Sequence, residues 1–184
     1  MKLTDINFED EAFKACVLAT GEENAEDIKV LRCRKQKIAS AAGIEHLVNL
    51  KMVDLTRNEI SELDLSKNTK LEEAFLGNNE LTSLNISGCS VLAHLEVFIN
   101  QLENLDVRNN PLLEAIHAGS NDLEAIDVSK NEELLDLRLN ENELSEIDLS
   151  ANGKLERLDL VKNPLNDNVK SMLQQQLQNA QVQL

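Results

Sequence analysis

Residues 92–102 read LAHLEVFINQL, and the spacing of the apolar positions Leu92, Leu95, Val97 and Leu102 around Asn100 returns along most of the chain. The same three apolar slots are filled by Leu50/Val53/Leu55, Leu71/Ala74/Leu76, Leu113/Ile116/Ala118, Leu134/Leu137/Leu139 and Leu155/Leu158/Leu160. Asn58, Asn79, Asn100, Asn121, Asn142 and Asn163 follow at an unbroken step of 21, and Ile60, Leu81, Leu102, Leu123, Leu144 and Leu165 stand two places after them. A degenerate seventh copy, Ile28/Leu31/Cys33/Gln36/Ile38, precedes these with Gln36 in the Asn slot. Alternation around the second and third apolar slots predicts a short half-buried strand in every copy. An Asn at a fixed slot marks a turn, because its amide offers the neighbouring backbone both donors and an acceptor. A second alternating stretch, Leu63-Asp64-Leu65 and its copies at 84–86, 105–107, 126–128 and 147–149, predicts an extended segment on the opposite wall. One such coil cannot bury its own apolar row, whereas stacked coils share one.

The pattern L-x-x-L-x-L-x-x-N-x-L resembles the leucine-rich repeat family over roughly residues 28–165. Its 21-residue form, with second halves such as ELDLSKN and EIDLSAN, is similar to a subclass common in bacterial proteins, including internalin-like ones; GIEHLVNLKMVDLTRNEI at 43–60 is similar to internalin repeats proper. The expected fold is an α/β solenoid: a strand-rich array of about seven coils, a parallel sheet on the concave face, and helical caps at both ends. The resemblance also implies protein binding.

Both flanks read as lids over coil ends that would otherwise lie bare. In INFEDEAFKACVLATG, Asp10 is a candidate N-cap, Phe13, Cys16 and Val17 share a helical face, and Gly21 is a stop. This segment resembles the helical cap that precedes bacterial leucine-rich arrays. After the array, Val169, Met172, Leu173 and Leu177 have helical spacing, and Val182 and Leu184 alternate as a final strand. The expected organisation is one domain: N-terminal cap 1–27, repeats 28–165, C-terminal helix-strand cap 166–184.

Charge narrows the partners. With 18 Lys and Arg against 33 Asp and Glu, a net −15, the chain is a poor match for nucleic acid or an anionic membrane. MKLTDINFED lacks the order of a signal peptide. The three cysteines lack metal spacing and occupy apolar or core slots, with Cys89 where other copies hold Asn; buried, reduced thiols are expected. These readings favour a cytoplasmic protein, or one delivered to a host cell without a cleaved signal, with a secreted or surface location as the alternative.

Reading the outward strand residues copy by copy gives the concave surface. Phe98 and Ile99 stand mid-array, where neighbouring copies have Gly77-Asn78, Gly119-Ser120 and Asn140-Glu141. Phe75 lies diagonal to them, and His94, Glu96 and His117 are close by. The chain has four Phe and no Trp or Tyr, so half its aromatics occupy a face where no core requires them. Large apolar groups ringed by small residues suit a docking partner. The expected binding set is Phe75, Phe98, Ile99, His94, Glu96 and His117, with Met52, Arg138, Arg32 and Arg34 at the rim. Lys29, Arg32, Arg34, Lys35 and Lys37 make the first copy basic, which would steer a partner with an acidic edge.

Catalytic signatures are missing: there is no G-x-S-x-G, H-E-x-x-H or phosphate-cradling glycine loop. Glu73/His94 and Glu96/His117 have the chemistry of zinc ligands, and Asp64, Asp106, Asp127 and Asp148 that of calcium ligands. The simpler readings are His–Glu partners and a solvated acidic wall bonded to Ser66, Ser129 and Ser150. The expectation is therefore a non-enzymatic, monomeric, protein- or peptide-binding module with no cofactor. A structural or self-associating scaffold, or a zinc enzyme built on the His/Glu cluster, are the alternatives.

Overall fold

The computed structural model describes all residues, 1–184, and its coils wind at the sequence period. Each coil contributes one three-residue strand to a parallel sheet: β1 (Val30–Arg32), β2 (Met52–Asp54), β4 (Glu73–Phe75), β6 (His94–Glu96), β7 (Ala115–His117), β8 (Asp136–Arg138) and β9 (Arg157–Asp159). A final strand, β10 (Gln181–Gln183), joins β9 and makes the sheet eight-stranded. On the opposite wall only β3 (Glu62–Asp64) and β5 (Ser83–Asn85) pair; the later copies run there without a ladder, so that wall is less regular than the alternation predicts.

Asparagine fastens coil to coil. Asn100 Nδ2 donates to Val97 O in its own coil (2.9 Å) and Leu76 O in the preceding one (3.2 Å), while its Oδ1 accepts from Leu81 N–H (3.0 Å). Asn58, Asn79, Asn121, Asn142 and Asn163 repeat this arrangement. Buried backbone groups at the turn are thereby satisfied without regular secondary structure. A second row, Asn68, Asn110, Asn131 and Asn152, donates to carbonyls of the preceding coil behind the sheet. Cys89 takes one place in that row and donates its thiol to Leu65 O at 3.2 Å. Burial pushes that thiol up to about 12, so it is an inert rung.

The residue just before each ladder position is left-handed: Lys35, Arg57, Asn78, Ile99, Ser120, Glu141 and Lys162 all have φ between 53° and 63°. In this conformation the N–H turns to the next coil, as Ile99 N–H does to Gly119 O (2.9 Å) and Glu141 N–H to Val161 O (2.8 Å).

The caps close the stack. Helix α1 (Glu11–Leu18) buries Phe13 and Val17 completely, and Asp10 caps it by accepting from Phe13 N–H (2.9 Å). The other Asp10 oxygen accepts from Ala39 N–H at 2.8 Å, tying cap to array. Helix α2 (Asp167–Gln176), capped by Asn166, buries Leu173 but leaves Met172 49% exposed, so Met172 is not part of the apolar face its spacing suggests. The thiol reading needs a larger correction: Cys16 and Cys33 form a disulfide between α1 and the first coil. The docked cap brings their Cα atoms to 5.8 Å, a proximity the repeat pattern does not encode. Only Cys89 is a free, buried thiol.

Candidate concave-face binding site

Strand register turns the copies into surface rows. Phe75 pairs with Glu96, Glu96 with His117, and His117 with Arg138; in the next row Glu73 pairs with His94 and Asp136 with Arg157. Leu95, Val97 and their equivalents point inward with no exposure, so the intervening residues are driven outward.

Phe98 leaves the end of β6 half-buried, its ring lying over Gly77 of the preceding coil. A Cβ on Gly77 would stand 2.6 Å from Phe98 Cζ, so the absent side chain there makes room for the ring. Gly119 does the same for Asn140, whose Oδ1 would clash with an added Cβ. Beside Phe98, Ile99 is 51% exposed at φ 53°. A β-branched residue gains nothing from the left-handed region, where the clash between Cβ and the following carbonyl costs about 1–2 kcal/mol.

Between Phe98 and Ile99 on one side and His117, Ser120, Arg138 and Asn140 on the other lies a hollow of about 430 Å³. Glu96, His117 and Arg138 of its lining belong to an ion network that continues along β8 and β9. Asp136, only 5% exposed, accepts from Arg138 Nε (3.1 Å) and Nη2 (2.9 Å) and from Arg157 Nε (2.9 Å). His117 stands between two carboxylates, with Nδ1 3.5 Å from Glu96 and Nε2 3.4 Å from Asp136. Burial acts to raise the Asp136 pKa, but the hydrogen bonds from Arg138 and Arg157 and the charge of His117 outweigh it and hold the carboxyl below its ordinary value.

The expected set is therefore partly assembled. Phe98, Ile99, Glu96, His117 and Arg138 share the hollow. Phe75 and Met52 are half-buried on β4 and β2, away from it, and His94 is exposed on β6 without an ion pair to Glu73. Arg32 is exposed on β1, while Arg34 turns onto buried Asp54, which also accepts from the Thr56 hydroxyl at 2.7 Å. Asp136 lies outside that expected set, although its row neighbour Arg157 and Arg138 two residues on are the signal for it. The left-handed turn under Ile99 carries no such signal, since its slot holds Lys, Arg, Asn, Ser or Glu elsewhere.

No three His, Cys, Asp or Glu side chains group so as to hold a metal ion. On the opposite wall, Asp64, Asp127 and Asp148 accept from the backbone N–H of Ser66 (2.7 Å), Ser129 (3.0 Å) and Ser150 (2.8 Å), while Asp106 is paired to Arg108. No helix is long and apolar enough to cross a membrane.

Neither a family model nor a curated protein matches the chain. Solved structures do. The functional domain of InlJ from Listeria monocytogenes, which includes a cysteine ladder, is 27% identical, with a TM-score of 0.71, over 91% of this chain and 44% of that one. A leucine-rich repeat protein of Leptospira interrogans is 21% identical with a TM-score of 0.64, over 86% of this chain and 49% of the other, a likeness of fold alone. The chain thus spans just under half the length of each. Its solenoid of about seven turns with a 21-residue period fits a bacterial leucine-rich repeat protein. That scaffold is typically used for protein binding and is generally non-enzymatic.

Proposed function

We propose that the chain is a non-enzymatic binding module whose concave face takes a protein or peptide partner. Phe98 and Ile99 form the centre with Glu96, His117 and Arg138 beside them, and Phe75, His94, Met52, Arg32 and Arg34 lie further out on the same face. The observation that carries this reading is Ile99: a large apolar side chain, 51% exposed, held where the backbone disfavours it. Strain that local stability does not reward points to a use elsewhere. Burying a Phe or Ile side chain contributes about 1.5–3 kcal/mol, enough for two adjacent anchors to dominate an interface. The test is affinity capture of partners from bacterial and host lysates by the wild type and by a Phe98→Ser/Ile99→Asn variant. A partner held by the wild type and lost by the variant supports the reading, and one retained equally by both sinks it. The module is expected to act as a monomer, with a monomer mass in light scattering.

The Cys16–Cys33 disulfide supports an oxidising location, secreted or at the surface, over the reducing cytoplasm. Alkylation of protein taken directly from cells should modify no cysteine until a reductant is added, since Cys89 is buried. Labelling of Cys16 without reductant returns the protein to the cytoplasm; Cys33, buried like Cys89, is read only after unfolding.

A further inference from the structure

Phe98 is a ridge with a hollow on each flank. The flank toward the first coils, of about 350 Å³, is lined by Arg34, Lys35, Thr56, Arg57 and Asn78, with Glu96 at its far edge. Three cations thus converge in a chain of net charge −15. Arg34 is matched by Asp54, and Glu96 faces His117 at 3.5 Å. Lys35 and Arg57 enter no ion pair, and Asn78 adds an amide donor. All three are consecutive members of the left-handed row that ends its apolar step at Ile99. The corresponding cations at the other end of the sheet are consumed internally: Lys162 pairs with Glu141, and Arg138 and Arg157 with Asp136. The excess of positive charge on the concave face is therefore local to one side of Phe98.

We propose that this hollow is a carboxylate seat, and that the partner is an acidic peptide segment crossing the strands. An Asp or Glu of that segment meets Lys35 and Arg57 while an apolar side chain packs on Phe98 and Ile99. The inference rests on the concave-face reading above and gives it a ligand chemistry. Arg57 and Ile99 are two strand spacings apart, about 10 Å. In an extended partner rising about 3.3 Å per residue, the acid and the apolar residue fall about three positions apart.

A random-sequence peptide library displayed on phage, selected against the wild type, Lys35→Glu/Arg57→Glu and Phe98→Ser/Ile99→Asn, tests both layers. Glu141 occupies the same left-handed slot as Lys35 and Arg57, so the backbone of the charge-reversed variant is already accommodated by this fold. Wild-type selections should enrich an acid about three residues from a large apolar residue, and the charge-reversed variant should keep the apolar preference and lose the acid. A synthetic peptide carrying the enriched pattern should bind the charge-reversed variant roughly tenfold more weakly, the difference shrinking as salt rises. Apolar enrichment without acids, or acids retained on the charge-reversed variant, overturns the carboxylate seat while leaving the concave face as the binding surface. The same peptides selected by Phe98→Ser/Ile99→Asn as by the wild type overturn both.

Discussion

The coil that carries Phe98-Ile99 and the coil two turns on that carries Asn140-Glu141 share one backbone and use it in opposite ways. In the later coil Asn140 rests on Gly119, and Glu141 accepts from Ser120 Oγ (2.7 Å) and pairs with Lys162, so polar groups knit the surface to itself. In the earlier one Phe98 rests on Gly77 and Ile99 projects from the same left-handed turn with half its surface in water. Because the frame is common, the difference lies in the side chains alone. One coil bonds its surface to itself and the other leaves Ile99 in water.

The largest expected effect tests the shared frame. Asn100→Ala removes a half-buried amide and Asn142→Ala a buried one, each bonding two coils and each leaving donors and acceptors unsatisfied; each should cost about 3 kcal/mol in denaturant unfolding. Equal losses would show that the two coils differ only above the backbone, and a much smaller loss at Asn100 would mean that its coil is already loosened.

Acid should then separate the two neighbourhoods. Asp136 titrates below its ordinary range in the fold, so its contribution is complete above the unfolded value of about 3.9 and is lost as pH falls through the lower folded value. Asp136→Asn should remove about 1–3 kcal/mol at neutral pH and flatten the acid limb of the stability profile. Hydrogen exchange at low pH should rise in β7–β9 before β2–β4; a uniform rise would deny the network its local role.

The smallest effect is the most informative. Ile99→Asn places a residue tolerant of the left-handed region there and should stabilise the protein by about 1 kcal/mol while weakening partner binding. Glu141→Ile, the reverse exchange, should destabilise by a similar amount and also lose the pair with Lys162. Neutral stability on Ile99→Asn would break the contrast, because Ile99 would then carry no strain to explain.

What the sequence disclosed depended on whether a cause repeats. Leu95, Val97 and Asn100 recur in phase, so the strands, the ladder and the concave placement of Phe98 were legible. The left-handed turn recurs too, yet it is built from Lys35, Arg57, Ile99 and Glu141, which have no chemistry in common, because the conformation is imposed by the bonds its N–H groups make to the next coil. Cys16–Cys33 and the Arg34–Asp54 pair were hidden for another reason: both depend on how the first coil meets its neighbours, where the repeat has no copy to compare. Asp136 stood between the two, visible to register arithmetic but buried by side chains from β8 and β9 together.

The unbroken phase of the ladder makes the array a measuring rod as well as a scaffold. Each coil bonds only the one before and the one after, so a duplicated or deleted block of 21 residues would rejoin in register, with neither lid altered. Insertion between the coils of Arg57 and Phe98 would move the basic and apolar stations apart by one strand spacing, about 4.8 Å. Genetic copying errors of whole repeats would then retune the distance between the two stations without disturbing the asparagines.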